Sequence, residues 1–140
     1  MKAQYRVFSE VVIFMVGVTM AFFIYHNYQS LEKTIKETAI EDQLKDVLEE
    51  VRSAIVKVIE TKHESKITLK IPTELSNTKY KIVLNGNRIE VKTDYPFLNV
   101  SEELFNMDKN YTINGEVVSN LGYVIIKFDG NEVKITPRVG

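Results

Sequence analysis

VVIFMVGVTMAFFIYHNY, residues 11–28, decides how the rest of this chain is read. With Val7 and Phe8 on its inner side, the apolar run covers about 20 residues. As a helix it is about 30 Å long, the thickness of a bilayer's hydrocarbon core. It is apolar all round, so lipid or a crowd of identical helices must surround it; one flank of a globular core would not suffice. A single carboxylate, Glu10, stands at its mouth. The residues before it are too few to fold, and everything after it has the composition of a water-soluble domain.

On the inner side the chain reads MKAQYRVFSE. Lys2, Arg6 and the amino terminus are its cations, and they precede the apolar run, which keeps the N-terminus in the cytoplasm and sends the body out. On the outer side Tyr25-His26-Asn27-Tyr28-Gln29 follows, a poor signal-peptidase site. The helix is therefore expected to stay with the mature protein, with Tyr25 and Tyr28 as an aromatic belt at the outer interface.

Beyond Gln29 no proline or glycine occurs until Pro72. Leu31, Ile35, Leu44, Val47, Leu48, Val51, Ala54, Ile55, Val58 and Ile59 recur at three- and four-residue spacing among charged residues, which predicts an amphipathic helix to about Thr61. Glu41 and Lys45 form an i,i+4 pair of favourable polarity. After Thr61 the period switches to two. Ile67, Leu69 and Ile71 alternate with polar residues. Tyr80, Ile82 and Leu84 lead into Asn85-Gly86, after which Ile89 and Val91 alternate again, a hairpin with the turn placed at Asn85-Gly86. Further strands are expected at Phe97–Val100, Tyr111–Ser119, Tyr123–Phe128 and Glu132–Thr136, with Ser101–Asn106 as a capped helical turn. Asn120-Leu121-Gly122 and Asp129-Gly130-Asn131 supply turns. The expected fold is α+β: a long N-terminal helix, transmembrane then amphipathic, followed by a small antiparallel β-sandwich. The domains are a basic head (1–6), an apolar helix (7–28), an amphipathic extension (29–62) and an extracellular β domain (63–140).

Composition excludes several classes of function. In 140 residues the net charge is −1, which offers nucleic acid no electrostatic footprint. Cysteine is absent, so there is no disulfide framework, thiolate metal site or cysteine nucleophile. His26 and His63 have no second histidine or tight carboxylate cluster at ligand spacing, and Asp129-Gly130-Asn131-Glu132 lacks the twelfth-position carboxylate of a calcium loop. No G-x-S-x-G, H-E-x-x-H or phosphate-cradling glycine loop is present. The sequence predicts no enzyme, no cofactor and no metal site.

Three groups of residues point to assembly at a cell surface. Glu10 is an interfacial carboxylate or the partner of a cation on a neighbouring subunit, where it would set the axial register. Gly17 and Ala21 form a small-xxx-small pair, the kind of surface that lets helices approach closely in lipid. Asn99-Val100-Ser101 and Asn110-Tyr111-Thr112 have the form of glycosylation sequons, a form that also arises by chance in a chain of this length; Asn99 and Asn110 are usable as acceptors only on an extracytoplasmic face, consistent with export.

Met1-Lys2-Ala3-Gln4 resembles the short basic leader of archaeal type IV pilins, cut by a prepilin peptidase after a small residue and before Gln. Phe8-Ser9-Glu10 opening an apolar helix is similar to the N-terminal signature of those pilins and of archaellum accessory (stator) proteins. The resemblance is specific over about the first 30 residues and architectural beyond them. It implies processing between Ala3 and Gln4 and a structural role as a homo-oligomeric, type IV pilus-like surface filament. Its helices would be packed in the core, with Glu10, Gly17 and Ala21 in the contact, and its β domains outside. The subunit would reside in the membrane before assembly. The alternative it implies is an uncut, membrane-anchored accessory protein whose β domain binds a surface-layer protein or a filament. A membrane-tethered enzyme, a third class, would need a polar cluster that the body does not display.

Overall fold

The computed structural model describes residues 2–61, 63–104 and 111–138, with side chains from Gln4 onward. Helix α1 spans Lys2–Glu60. Seven strands follow: β1 (Ser65–Lys70), β2 (Tyr80–Asn85), β3 (Arg88–Thr93), β4 (Asn99–Glu103), β5 (Thr112–Val118), β6 (Tyr123–Phe128) and β7 (Glu132–Pro137), with a short 3-10 turn at Ser119–Leu121. The fold is α+β, as the switch of period from 3.6 to two predicts. Two compact units divide the chain, Met1–Lys36 and Glu37–Gly140.

The first unit is helical through its described residues, and none of its side chains from Gln4 to Lys36 is buried. Leu31 and Ile35, read from sequence as part of the buried stripe, are exposed here. The burial begins at Ile40, one turn into the second unit.

In the second unit the strands are hydrogen-bonded in the order β1-β6-β7-β5-β2-β3-β4. Every neighbouring pair is antiparallel except β5 and β7, which run parallel. The β domain expected as a sandwich is thus one continuous sheet, and its facing layer is the helix. Ile40, Leu44, Val47, Leu48, Val51, Ile55 and Val58 of α1 share one core with Tyr80, Ile82, Ile89, Ile113, Ile126 and Val133 of the sheet. The physical reason lies in the patterning. Each internal strand has one apolar face, and the helical segment carries a stripe of matching width, so no second sheet is required. Each fully buried Leu, Ile or Val contributes about 1.5–3 kcal/mol of transfer free energy. The opposite face of the sheet is mixed: Lys81, Glu90, Asn114, Glu116, Lys127 and Lys134 share it with half-buried Val83 and Ile125.

Polar groups inside this unit are satisfied. Buried Ser119 donates from Oγ to the Thr73 carbonyl (2.7 Å) and accepts the Tyr80 N–H (3.2 Å). The Tyr80 hydroxyl donates to the Pro72 carbonyl at 2.6 Å, and burial, with Glu50 nearby, pushes its ionisation well above the usual phenol range. Thr93, also buried, donates to the Pro96 carbonyl and accepts the Leu98 N–H.

Two local expectations are corrected. Asn85 pairs with Arg88, so the β2–β3 turn is centred on Gly86-Asn87, with Gly86 alone at positive φ (64°). That is the glycine-first pattern of tight hairpins, and Asn85 belongs to the strand. Ser101–Glu103 is strand β4, paired antiparallel to β3, and is not a helical turn. Pairing with β3 gives the inward-facing backbone groups of this edge stretch ladder partners, which one capped turn would not. Phe97, read as a strand start, precedes β4 in the loop.

Candidate functional site

The surface that most needs explaining is the side of α1 that its own unit leaves uncovered. Between Tyr5 and Tyr28 its large apolar side chains point outward around the whole circumference; Phe14 and Phe22, for example, are 72% and 73% exposed. Valines and isoleucines, ordinarily poor helix formers in water, are tolerated because no proline interrupts the run and each backbone group bonds within the helix. This helix is long and apolar enough to cross a membrane, a test that an N-terminal signal sequence also meets.

Three polar side chains within and beside the run, Thr19, Asn27 and Gln29, are bonded locally. Thr19 Oγ1 donates to the Met15 carbonyl at 2.8 Å, and Asn27 Nδ2 donates to the Phe23 carbonyl at 2.8 Å. Gln29 Nε2 donates to the Tyr25 hydroxyl at 2.7 Å. Such i,i−4 bonds remove the cost of carrying a hydroxyl or amide into an apolar surrounding. Arg6 Nε lies 3.5 Å from Glu10 Oε1, one turn away on the same helix. Glu10 therefore has a cation within its own chain. Gly17 lies on this exposed surface, and a Cβ added there would meet nothing within 4 Å. No neighbour in this chain calls for a glycine at that position. Ala21 lies one turn further along the same exposed helix.

The remaining candidates are dispersed. Gln4 is exposed in the first turn of α1; Ala3 belongs to the same turn, with its side chain outside the described set. Asn99 is exposed at the start of edge strand β4, while Asn110 lies outside the described residues. His26 is on the exposed helix and His63 sits between α1 and β1. Among the described residues no three His, Cys, Asp or Glu side chains are placed to hold a metal ion. A cleft of about 500 Å³ lies between the helical segment and the residues after β1, lined by Gln43, Asp46, Glu50 and Glu74 beside Lys70 and Ile71. Ser76 also lines it, its Oγ donating to Gln43 Oε1 at 3.2 Å.

Sequence reading passed over one feature. Tyr95 and Phe97 flank Pro96 in the β3–β4 loop and are 88% and 74% exposed. The run Asp94-Tyr95-Pro96-Phe97 is the signal, and of it the strand expectation takes in Phe97 alone.

Comparisons with protein-family models, with curated proteins and with solved structures found no match.

Proposed function

We propose that this chain is a structural cell-surface subunit, inserted in the membrane by residues 7–28 and assembled through them into a pilus-like filament with the β unit outside. The observation that carries this reading is the full ring of exposed apolar side chains from Val7 to Tyr28, among which Thr19 and Asn27 are bonded within the helix. Such a cylinder is stable only in lipid or among similar helices. The unexplained glycine at position 17 supports close packing against a second helix.

A second reading, a permanently anchored accessory protein, draws support from the Arg6–Glu10 pair, which gives Glu10 a partner without any neighbouring subunit. Intact mass and N-terminal sequencing of the protein from its native surface separate the two. A chain beginning at Gln4 in sheared filaments supports the filament subunit. A chain retaining Lys2-Ala3 and staying with the membrane fraction supports the anchored protein and removes the filament.

A further inference from the structure

Among the described residues, the exposed apolar side chains of the sheet and its loops gather at one end. Strand registers define that end: Lys70 lies opposite Tyr123, Lys81 opposite both Val118 and Lys92, and Lys92 opposite Asn99. The β3–β4 loop with Tyr95 and Phe97, the 3-10 turn with Leu121 (48% exposed), Tyr123 and Val118 all belong to it. Among the described residues of this unit, Val56 on the helix is the one exposed large apolar side chain found elsewhere. The opposite end carries the polar turns at Gly86-Asn87 and Asp129–Asn131.

This is also the end at which the chain enters the unit. Ser76 Oγ bonds Gln43 near the start of the helical segment, whereas Ser65 Oγ bonds the Val58 carbonyl near its finish, at the other end of the sheet. Residues 29–39 are all that separate Tyr28 from Ile40, the first buried residue of the unit. Even fully extended, such a link reaches about 40 Å.

The chemistry of the patch matches a lipid interface better than a protein core. Its protruding members are a tyrosine and a phenylalanine on a loop, not a flat apolar face. At the same end lie the long cations Lys79, Lys81 and Lys92, with Lys81 3.9 Å from Glu116 and the Asp94 carboxylate next to Tyr95, and the Arg138 guanidinium is 5.5 Å over the Tyr123 ring. Amphipathic aromatics with snorkelling cations are the side chains that settle at headgroup level. We propose that this end of the β unit rests on the headgroup layer of the bilayer that holds residues 7–28, with Tyr95 and Phe97 as interfacial anchors. The inference depends on the membrane reading above, common to both of its forms.

The absence of tryptophan from the chain makes a clean test. In the full chain reconstituted in phosphatidylcholine vesicles, Tyr95→Trp is compared with Phe14→Trp in the apolar helix and Asn131→Trp at the far end of the sheet. All three positions are exposed, so the fold is undisturbed. The expected result is blue-shifted emission and quenching by brominated lipid for Trp at 95 and at 14, with none at 131. Quenching at 14 but not at 95 overturns the docking and leaves the membrane helix standing. No quenching at either position overturns the membrane reading itself. Equal quenching at 95 and 131 removes the polarity on which the proposal rests. A blue shift at 95 that follows protein density and ignores bromination makes the patch a contact between copies and overturns the lipid assignment.

Discussion

Gly115 on β5 lies directly against Ile135 on β7: a Cβ built on Gly115 would collide with the Ile135 carbonyl oxygen and stand 2.6 Å from its Cγ2. With φ at 138°, the backbone there is also in a region that side chains avoid. The glycine thus permits the close passage of the two parallel strands just beyond their last pair, Asn114 and Lys134. Gly115→Ala is expected to destabilise the β unit by about 3 kcal/mol, combining backbone strain with overpacking. Chemical denaturation followed by circular dichroism measures it, and an unchanged midpoint would show that β5 and β7 do not approach in this way.

The helical layer of the core makes a second prediction. Leu44→Ala and Ile55→Ala, both at fully buried positions, are each expected to cost about 2–5 kcal/mol. Val56→Ala, on the exposed side of the same helix, is expected to change stability by under about 0.5 kcal/mol. Equal effects at 55 and 56 would mean that the helix does not face the sheet through this stripe.

Ser119→Ala tests the polar bridge between the Tyr80 N–H and the Thr73 carbonyl. Removing the hydroxyl leaves the buried Tyr80 N–H unpaired and takes the donor from the Thr73 carbonyl, at an expected cost of about 1–3 kcal/mol. Amide exchange at Tyr80 accelerates in the variant if the bridge is as described.

The β6–β7 turn gives a pH prediction. The Asp129 carboxylate accepts the N–H groups of Glu132 (2.8 Å) and Asn131 (3.3 Å), and these bonds hold its carboxyl below the ordinary value of 3.8. Because the folded value is the lower one, the stabilisation is present above 3.8 and is lost as the pH falls through the depressed value. An NMR titration should place the Asp129 midpoint below 3.8. A midpoint at or above it would rule out these bonds in solution.

Two substitutions address assembly. A Cβ at position 17 meets nothing within 4 Å, so Gly17→Leu should fold and insert normally while helix association in detergent or lipid falls. Unchanged cross-linking would remove Gly17 from the contact. Glu10→Ala should likewise spare insertion and impair filament formation, and normal filaments would remove its register role.

Local chemistry made much of this molecule readable from its residues alone. The apolar run from Val11 to Tyr28 announces its surroundings because solvent preference is a property of each side chain. The 3.6-residue period of α1 and the two-residue period from Ile67 onward declare helix and strand because both arise from backbone geometry within a few residues. The strand Tyr123–Phe128 was legible to its ends, bounded by Gly122 and by Asp129-Gly130. On the candidate surface, Glu10 and Gly17 were recognisable by type, whereas the Arg6–Glu10 pairing was not singled out. Tertiary structure alone decided the rest. Periodicity says which face of a strand is buried but not what covers it, so the single sheet backed by residues 40–58 could not be told from two facing sheets. The parallel joining of β5 to β7 and the burial onset at Ile40 rest on contacts between residues far apart in the chain. The same holds for the meeting of Tyr95, Phe97, Leu121 and Tyr123 at one end of the sheet: register and strand order bring them together, and these are set by long-range pairing and core packing, which no local pattern encodes.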